Sequence, residues 1–371
     1  MTVIHYKHIS RPNQAQIHKS HKQFWENALL YPRRQGKPGP GSNKTPMRKL
    51  NYKNSFIASL FVNVLLLLAL GLLLAFFLWG RGGPARLQTP DAEREETPGL
   101  SINEQALLEQ AFAYGVSIDY LQLVLPDYFI YYFDGDYRYE LLDPQLGLHR
   151  YDWSRLVYDQ GRLDYADPEL TGVQTGVDVS YYQGEIDWAA VAGDGVDFAM
   201  VRLGYRGYES GALVTDETAG VNLAAAAAAG LDLGAYFFSQ AITVEEAQEE
   251  ARLALELLDG RELAYPVAFD MEEIWNQTAR VDGLSREQAT DIALAFCQAI
   301  EQGGYQSMIY GNTAWLAGRL DLSRLQDSNI WLAQYSSRPN YPYHMNMWQY
   351  TSSGTVAGVS GQVDLNLYFG Q

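Results

Sequence analysis

The chain is poor in the residues that most often carry metal, thiol or triad chemistry. Cys297 is its only cysteine, so an intramolecular disulfide is impossible and any fold outside the cytoplasm must rest on its core. Cys297 lies in the apolar stretch Ile292–Ile300 and reads as a small buried hydrophobe. Four of the six histidines (His5, His8, His18, His21) sit near the N-terminus, leaving His149 and His344 for the remainder. No His-Glu-x-x-His, zinc-spaced Cys/His set or Gly-x-Ser-x-Gly elbow occurs, which argues against zinc hydrolases and serine esterases. Basic residues are scarce beyond the start: residues 1–54 hold eleven Lys/Arg and one acid, Glu26, whereas the rest holds sixteen Lys/Arg against forty-three acids. That balance excludes a nucleic-acid surface on the larger part.

One long apolar run stands out, from Phe56 to Trp79. As a helix it would reach roughly 36 Å, enough for a hydrocarbon layer of about 30 Å. Arg48, Lys49 and Lys53 precede it. The sequence therefore predicts one transmembrane helix over 55–80, with a basic, disordered cytoplasmic tail over 1–54 and the remainder extracytoplasmic. A cleaved signal peptide would be shorter and nearer the N-terminus, and would carry a small-residue cleavage site. Residues 81–100, rich in Gly, Pro and charge, read as a linker. Residues 101–170 read as a membrane-proximal module dense in tyrosine, with two strands around Asp134-Gly135, a hairpin signal. Its aromatics suit core packing better than sugar binding.

From residue 171 to 371 the pattern becomes regular. Eight short apolar runs recur at Gly176–Ser180, Val196–Leu203, Leu231–Phe238, Tyr265–Met271, Ser307–Tyr310, Ile330–Tyr335, Met345–Tyr350 and Gln362–Tyr368. Helical stretches intervene near 187–193, 215–229, 243–259 and 285–302. Alternation of this kind predicts an α/β fold with a parallel sheet, and eight strands suggest an irregular (β/α)8-like TIM-type barrel. A doubly wound open sheet is the alternative, but no Gly-rich phosphate loop follows the first strand.

Barrel enzymes work at the C-terminal ends of their strands. Asp178, Arg202, Tyr236, Tyr310, Gln334, Trp348, Gln349 and Asp364 fall at or near such ends, and Asp270-Met-Glu272 closes the fourth strand. Side chains two apart on a strand share a face, so the carboxyls of Asp270 and Glu272 point the same way. Paired carboxyls resist double ionisation, which keeps one protonated and ready to act as a general acid. Asp178 and Asp364 would complete an acidic cleft. Tyr181, Tyr182, Tyr236, Trp275, Tyr310, Tyr335, Trp348 and Tyr350 are candidate stacking surfaces for sugars; each alone reads more readily as packing, and as a set they tilt toward carbohydrate. No cofactor and no metal are expected.

These residues together have a family likeness. Gly176-Val-Asp-Val-Ser-Tyr-Tyr-Gln-Gly, Ile186-Asp-Trp, Phe198-Ala-Met-Val-Arg, Gly234-Ala-Tyr-Phe-Phe-Ser, Phe269-Asp-Met-Glu, Ile309-Tyr-Gly-Asn, Trp331-Leu-Ala-Gln-Tyr, Trp348-Gln-Tyr-Thr and Val363-Asp-Leu-Asn run in order over residues 172–371. The set resembles the family 25 glycoside hydrolases, the lysozymes (N-acetylmuramidases) of bacteria, phages and some fungi. The resemblance implies cleavage of the β-1,4 bond between N-acetylmuramic acid and N-acetylglucosamine in peptidoglycan, for wall remodelling or lysis. It further implies Glu272 as general acid and Asp270 as its partner, with Asp178 and Asp364 completing the cluster; the adjacent Glu273 should face away. Tyr182, Arg202, Tyr236, Tyr310, Gln334, Trp348 and Gln349 are the candidate substrate contacts. Asp270 is then either a nucleophile or the group that orients the substrate's own acetamido. The implied partners are peptidoglycan strands and, through one helix, the membrane, with no nucleic acid. A non-catalytic wall-binding scaffold and a glycosidase acting on another N-acetylated polymer such as chitin are the rival readings.

Overall fold

The computed structural model describes residues 110–370, except 112–113, 134–135, 160, 168–169, 171 and 273–278. Residues 95–371 form one compact unit. Its first elements are helix α1 (Ile118–Val124), the antiparallel hairpin β1 (Tyr128–Phe133) and β2 (Asp136–Leu141), and the hairpin β3 (Leu156–Asp159) and β4 (Arg162–Tyr165). Asp134-Gly135, the expected turn, lies outside the described residues.

Next come β5 (Gln174–Val179), α2 (Trp188–Gly193), β6 (Phe198–Arg206), β7 (Leu213–Thr215), α3 (Ala219–Ala228) and β8 (Asp232–Ser239). They are followed by α4 (Val244–Leu258), β9 (Val267–Met271), α5 (Arg286–Gln302), β10 (Ser307–Asn312) and α6 (Thr313–Arg319). The last strands are β11 (Asn329–Ala333), β12 (Met347–Gly354) and β13 (Val363–Tyr368). The sheet order β5-β13-β12-β11-β10-β9-β8-β6 closes by a β5–β6 pairing, and β7 hangs on β6 outside the ring. The result is an eight-stranded barrel.

Local sequence explains the helices that wrap it. In α4, Thr243 accepts the Glu246 amide as N-cap, and Ala247, Ala251, Ala254 and Leu258 make one buried stripe. Ser285 and Gln288 form a capping box that starts α5. Strand alternation sorts side chains between two cores. Val177, Ala199, Phe237, Phe269 and Leu332 face the helices, whereas Phe198, Met200, Ala268, Met308, Trp331 and Met347 fill the barrel. Two glycines make room inside: a Cβ at Gly176 would stand 2.2 Å from the Phe198 ring, and one at Gly234 would stand 2.3 Å from Met200 Sδ. Both positions must stay bare for the barrel to fill as it does.

Two expectations are corrected. The sheet is not all parallel: β13 runs antiparallel to β12 and to β5. Its connection from β12, residues 355–362, is too short for a crossover, and a reversed neighbour is what so brief a link allows. The transmembrane helix over 55–80 is withdrawn, and with it the single-pass topology, the cytoplasmic N-terminus, the extracytoplasmic placement and the membrane as partner. No helix among the described residues is long and apolar enough to cross a membrane. The longest, α5, has 17 residues and alternates buried with polar faces. The run from Phe56 to Trp79 lies outside the described residues.

The tyrosine-dense segment shares its core with the barrel. Phe129, Tyr131, Leu163 and Tyr165 belong to the same buried cluster as Trp348, Tyr350 and Phe369. Between β11 and β12 no helix forms, and residues 334–346 cross there as irregular chain. The N-terminal segment covers that gap. His149 N donates to Pro342 O, His344 N to Gly147 O, Tyr151 Oη to Met345 O, and Leu148 bridges Tyr343.

Candidate active site

The carboxyls converge at one end of the barrel. Asp178, the penultimate residue of β5, stands directly across from Asp364 on β13 in the ladder. Because β13 is reversed, Asp364 reaches this end from the start of its strand, not from its C-terminal end. Asp270 is buried on β9, and Glu272 follows just past the end of that strand, partly exposed. The two carboxyls are near enough for each to act on the other's ionisation. Asp270 Oδ1 is buried without a hydrogen-bond partner.

A hydrogen-bond chain dictates the state of Asp178. The Trp331 indole N–H can only donate, and it points at Asn366 Oδ1 at 2.8 Å. The Asn366 amide N–H must then face the other way, and it donates to Asp178 Oδ2 at 2.8 Å. Gln349 repeats the pattern: Tyr310 and Tyr335 hydroxyls donate to its Oε1 at 2.9 and 2.8 Å, and its Nε2 donates to the same Asp178 oxygen at 2.9 Å. Two fixed donors favour the carboxylate. Burial outweighs them and pushes Asp178 up to about 6. Burial, and then the charge of Asp178, push Asp364 up to about 8. Asp270 is raised well above the ordinary carboxylate range by burial and by Glu272, and Glu272 is raised by burial. Near neutral pH the cluster therefore holds protons that an exposed set of acids would have lost.

The other expected residues divide. Tyr236 is held among Asp178, Arg202, Asp270 and Asp364, whose charges act on its hydroxyl. Tyr310 and Gln349 belong to the chain just described. Arg202 reaches the same end, but its guanidinium is taken: Nε and Nη2 pair with buried Asp216 at 2.9 and 2.8 Å. The rings of Tyr181, Tyr182 and Tyr205 lie 5.0, 5.4 and 5.4 Å from it. Tyr182 rests against the Tyr181 ring, centroids 4.1 Å apart, but is 73% exposed at the rim. Gln334 is spent on the chain, accepting from Thr313 Oγ1 and Asn340 N. Trp348 is 0% exposed and packs outward against Trp153 and Tyr350, with its indole on Gln334 O. It offers no face to a ligand. Glu273 and Trp275 lie outside the described residues.

Sequence reasoning missed Asp216, which also caps the following turn through Thr218 and accepts the Tyr181 amide. Its signal, Asp two residues before Thr, is that of a local turn, and nothing in it points to a partner on another strand. Among the described residues, no three His, Cys, Asp or Glu side chains are arranged to hold a metal ion.

Adjacent carboxyls at a barrel mouth, with others across from them and exposed aromatic rings at the rim, are groups suited to hydrolysing a glycosidic bond. Residues 177–359 match the model of the glycosyl hydrolases family 25. The autolytic lysozyme of Clostridium acetobutylicum is 28% identical over 192 residues, which cover 52% of this chain and 54% of that protein. Lysozyme M1 of Streptomyces globisporus is 29% identical over 215 residues, covering 54% of this chain and 69% of that one. The chain thus spans about half the length of the first of these relatives. Among solved structures, the modular autolysin LytC of Streptococcus pneumoniae aligns with 25% identity and a TM-score of 0.49, over 64% of this chain and 56% of that one.

Proposed function

We propose that the protein hydrolyses the β-1,4 bond from N-acetylmuramic acid to N-acetylglucosamine in peptidoglycan. The observation that carries the reading is the buried acidic cluster that Asp178, Asp270, Glu272 and Asp364 form at one end of the barrel. Within it Asp270 and Glu272 stand side by side and resist double ionisation. Asp270, the more strongly raised of the two, holds the proton before substrate binds. The substrate's acetamido N–H, by donating to Asp270, favours its carboxylate and leaves the proton to Glu272, the general acid that protonates the leaving glycosidic oxygen.

Asp270 and Glu272 come from one strand end, two residues apart, whereas the carboxyls of a double-displacement pair flank the anomeric carbon from opposite faces at about 5–5.5 Å. The attacking group is therefore the substrate's own 2-acetamido oxygen. Asp270 accepts the acetamido N–H and aims it, and Asp178 stabilises the positive charge that develops on the sugar ring. As the acetamido oxygen bonds to the anomeric carbon, the glycosidic bond breaks and its oxygen takes the Glu272 proton; water then attacks the same carbon, the bond to the acetamido oxygen breaks, and the water's proton returns to Glu272. Tyr182 supplies a stacking face for a sugar. Relatives named as lysozymes support the substrate class.

The test compares the native chain with Glu272→Gln on purified peptidoglycan. The variant should release new reducing ends at least about a thousandfold more slowly, since it loses the acid as well as the charge pair. It should still co-sediment with the wall. Comparable rates for the two proteins would remove Glu272 from the role.

A further inference from the structure

Beyond β8 the chain turns at Gln240, which is fully buried. Its Nε2 donates to the backbone carbonyl of Glu272 at 3.4 Å, and its own carbonyl accepts from Arg280 Nη1 at 3.1 Å. One residue thus grips the chain at two points, at the acid and where the chain returns at Arg280. The ground beneath it is fixed. Arg280 Nη2 pairs with Glu246 at 2.7 Å, and Glu246 Oε2 accepts the Ile242 amide at 2.8 Å. Arg206 holds the Glu246 carbonyl and pairs with the buried carboxylate of Glu250 at 2.7 Å.

A second observation is independent of these contacts. Gln240 Oε1 is buried and accepts no hydrogen bond. A carbonyl stranded in this way lowers stability, and an apolar side chain of similar length would avoid the loss. The fold alone therefore gives no reason for an amide here, whereas the donor to Glu272 does.

We propose that Gln240 is a positioning residue: its amide fixes the backbone of Glu272 and so the aim of the acid, at the expense of an unsatisfied carbonyl. The proposal rests on the reading of Glu272 as general acid. It separates stability from turnover, which a structural role would not do.

The test is Gln240→Met in the full chain, with Tm, kcat and KM on purified peptidoglycan, and amide hydrogen exchange over the stretch 267–284. The expected result is an unchanged or higher Tm, an unchanged KM, kcat lower by about tenfold to a hundredfold, and faster exchange at Glu272 and its neighbours. Arg280→Met should lower kcat in the same way, and Arg280→Lys should restore part of it. A kcat within twofold of native with native exchange would overturn the proposal. So would a Tm that falls together with kcat. If the native chain cleaves no peptidoglycan, the muramidase reading fails, while the exchange rates still decide whether Gln240 holds Glu272.

Discussion

An indole can donate a hydrogen bond but not accept one, and that asymmetry runs from Trp331 through Asn366 to Asp178. Replacing Asn366 by Leu removes one of the two donors on Asp178, which already sits at about 6. A hydrogen bond to a carboxylate is worth about 1.5 kcal/mol or more, so the Asp178 pKa should rise by about one unit. The acid limb of kcat/KM should move up the pH scale by the same amount; an unmoved limb in a folded variant would separate Asp178 from the reaction. Much at this scale was legible in the sequence. Asp270 and Glu272 share a face because strand period two says so. The same rule excludes Trp348 and Gln349 from sharing one, and the structure sends Gln349 inward and Trp348 to the helix side. Arg202 was not legible as occupied, because Asp216 lies fourteen residues on and meets it only once β7 has turned the chain back along β6.

At the scale of elements, the eight barrel strands and helices α2 to α5 fall close to the runs that hydrophobic pattern marks, since a buried barrel wall leaves little freedom in where apolar runs begin. The direction of β13 did not come with them, although the short link after β12 holds the information. The segment before the barrel was also read as a module of its own. Tyr131, Tyr151 and Tyr165 are packing residues, and what they pack against is the barrel wall where residues 334–346 supply no helix, whereas Tyr114 and Tyr158 stay exposed. Tyr165 is buried among Tyr151, Trp153 and Phe369. Tyr165→Ala should therefore destabilise the whole unit by about 3 kcal/mol, read as one cooperative denaturant transition with a lower midpoint. A separate early transition, with the barrel unaffected, would instead mark an independent module.

For the whole molecule, the acidic cluster ties stability to pH. The folded state holds the Asp364 proton up to about 8, against an ordinary value of 3.8. A raised carboxyl contributes stability that is complete below its unfolded pKa and is lost as pH climbs through its folded one. Glu250, pushed up to about 7 by burial, adds to the lower part of that decline. His149, lowered to about 4 from 6.5, and His344, also lowered by burial, act oppositely and weaken the fold as pH drops below about 6.5. Tm should therefore fall between about pH 6.5 and pH 9, and Asp364→Asn should flatten much of that fall. A native Tm that is level or rising across the same range would contradict the buried cluster.

The central claim concerns which bond is cut, and the sugar left at the new reducing end reports it directly. Purified peptidoglycan digested by the full chain, reduced with borohydride and hydrolysed, should yield reduced muramic acid, and the Glu272→Gln digest should yield almost none. Reduced glucosamine in its place, or no new reducing end while the protein still binds the wall, would contradict the account.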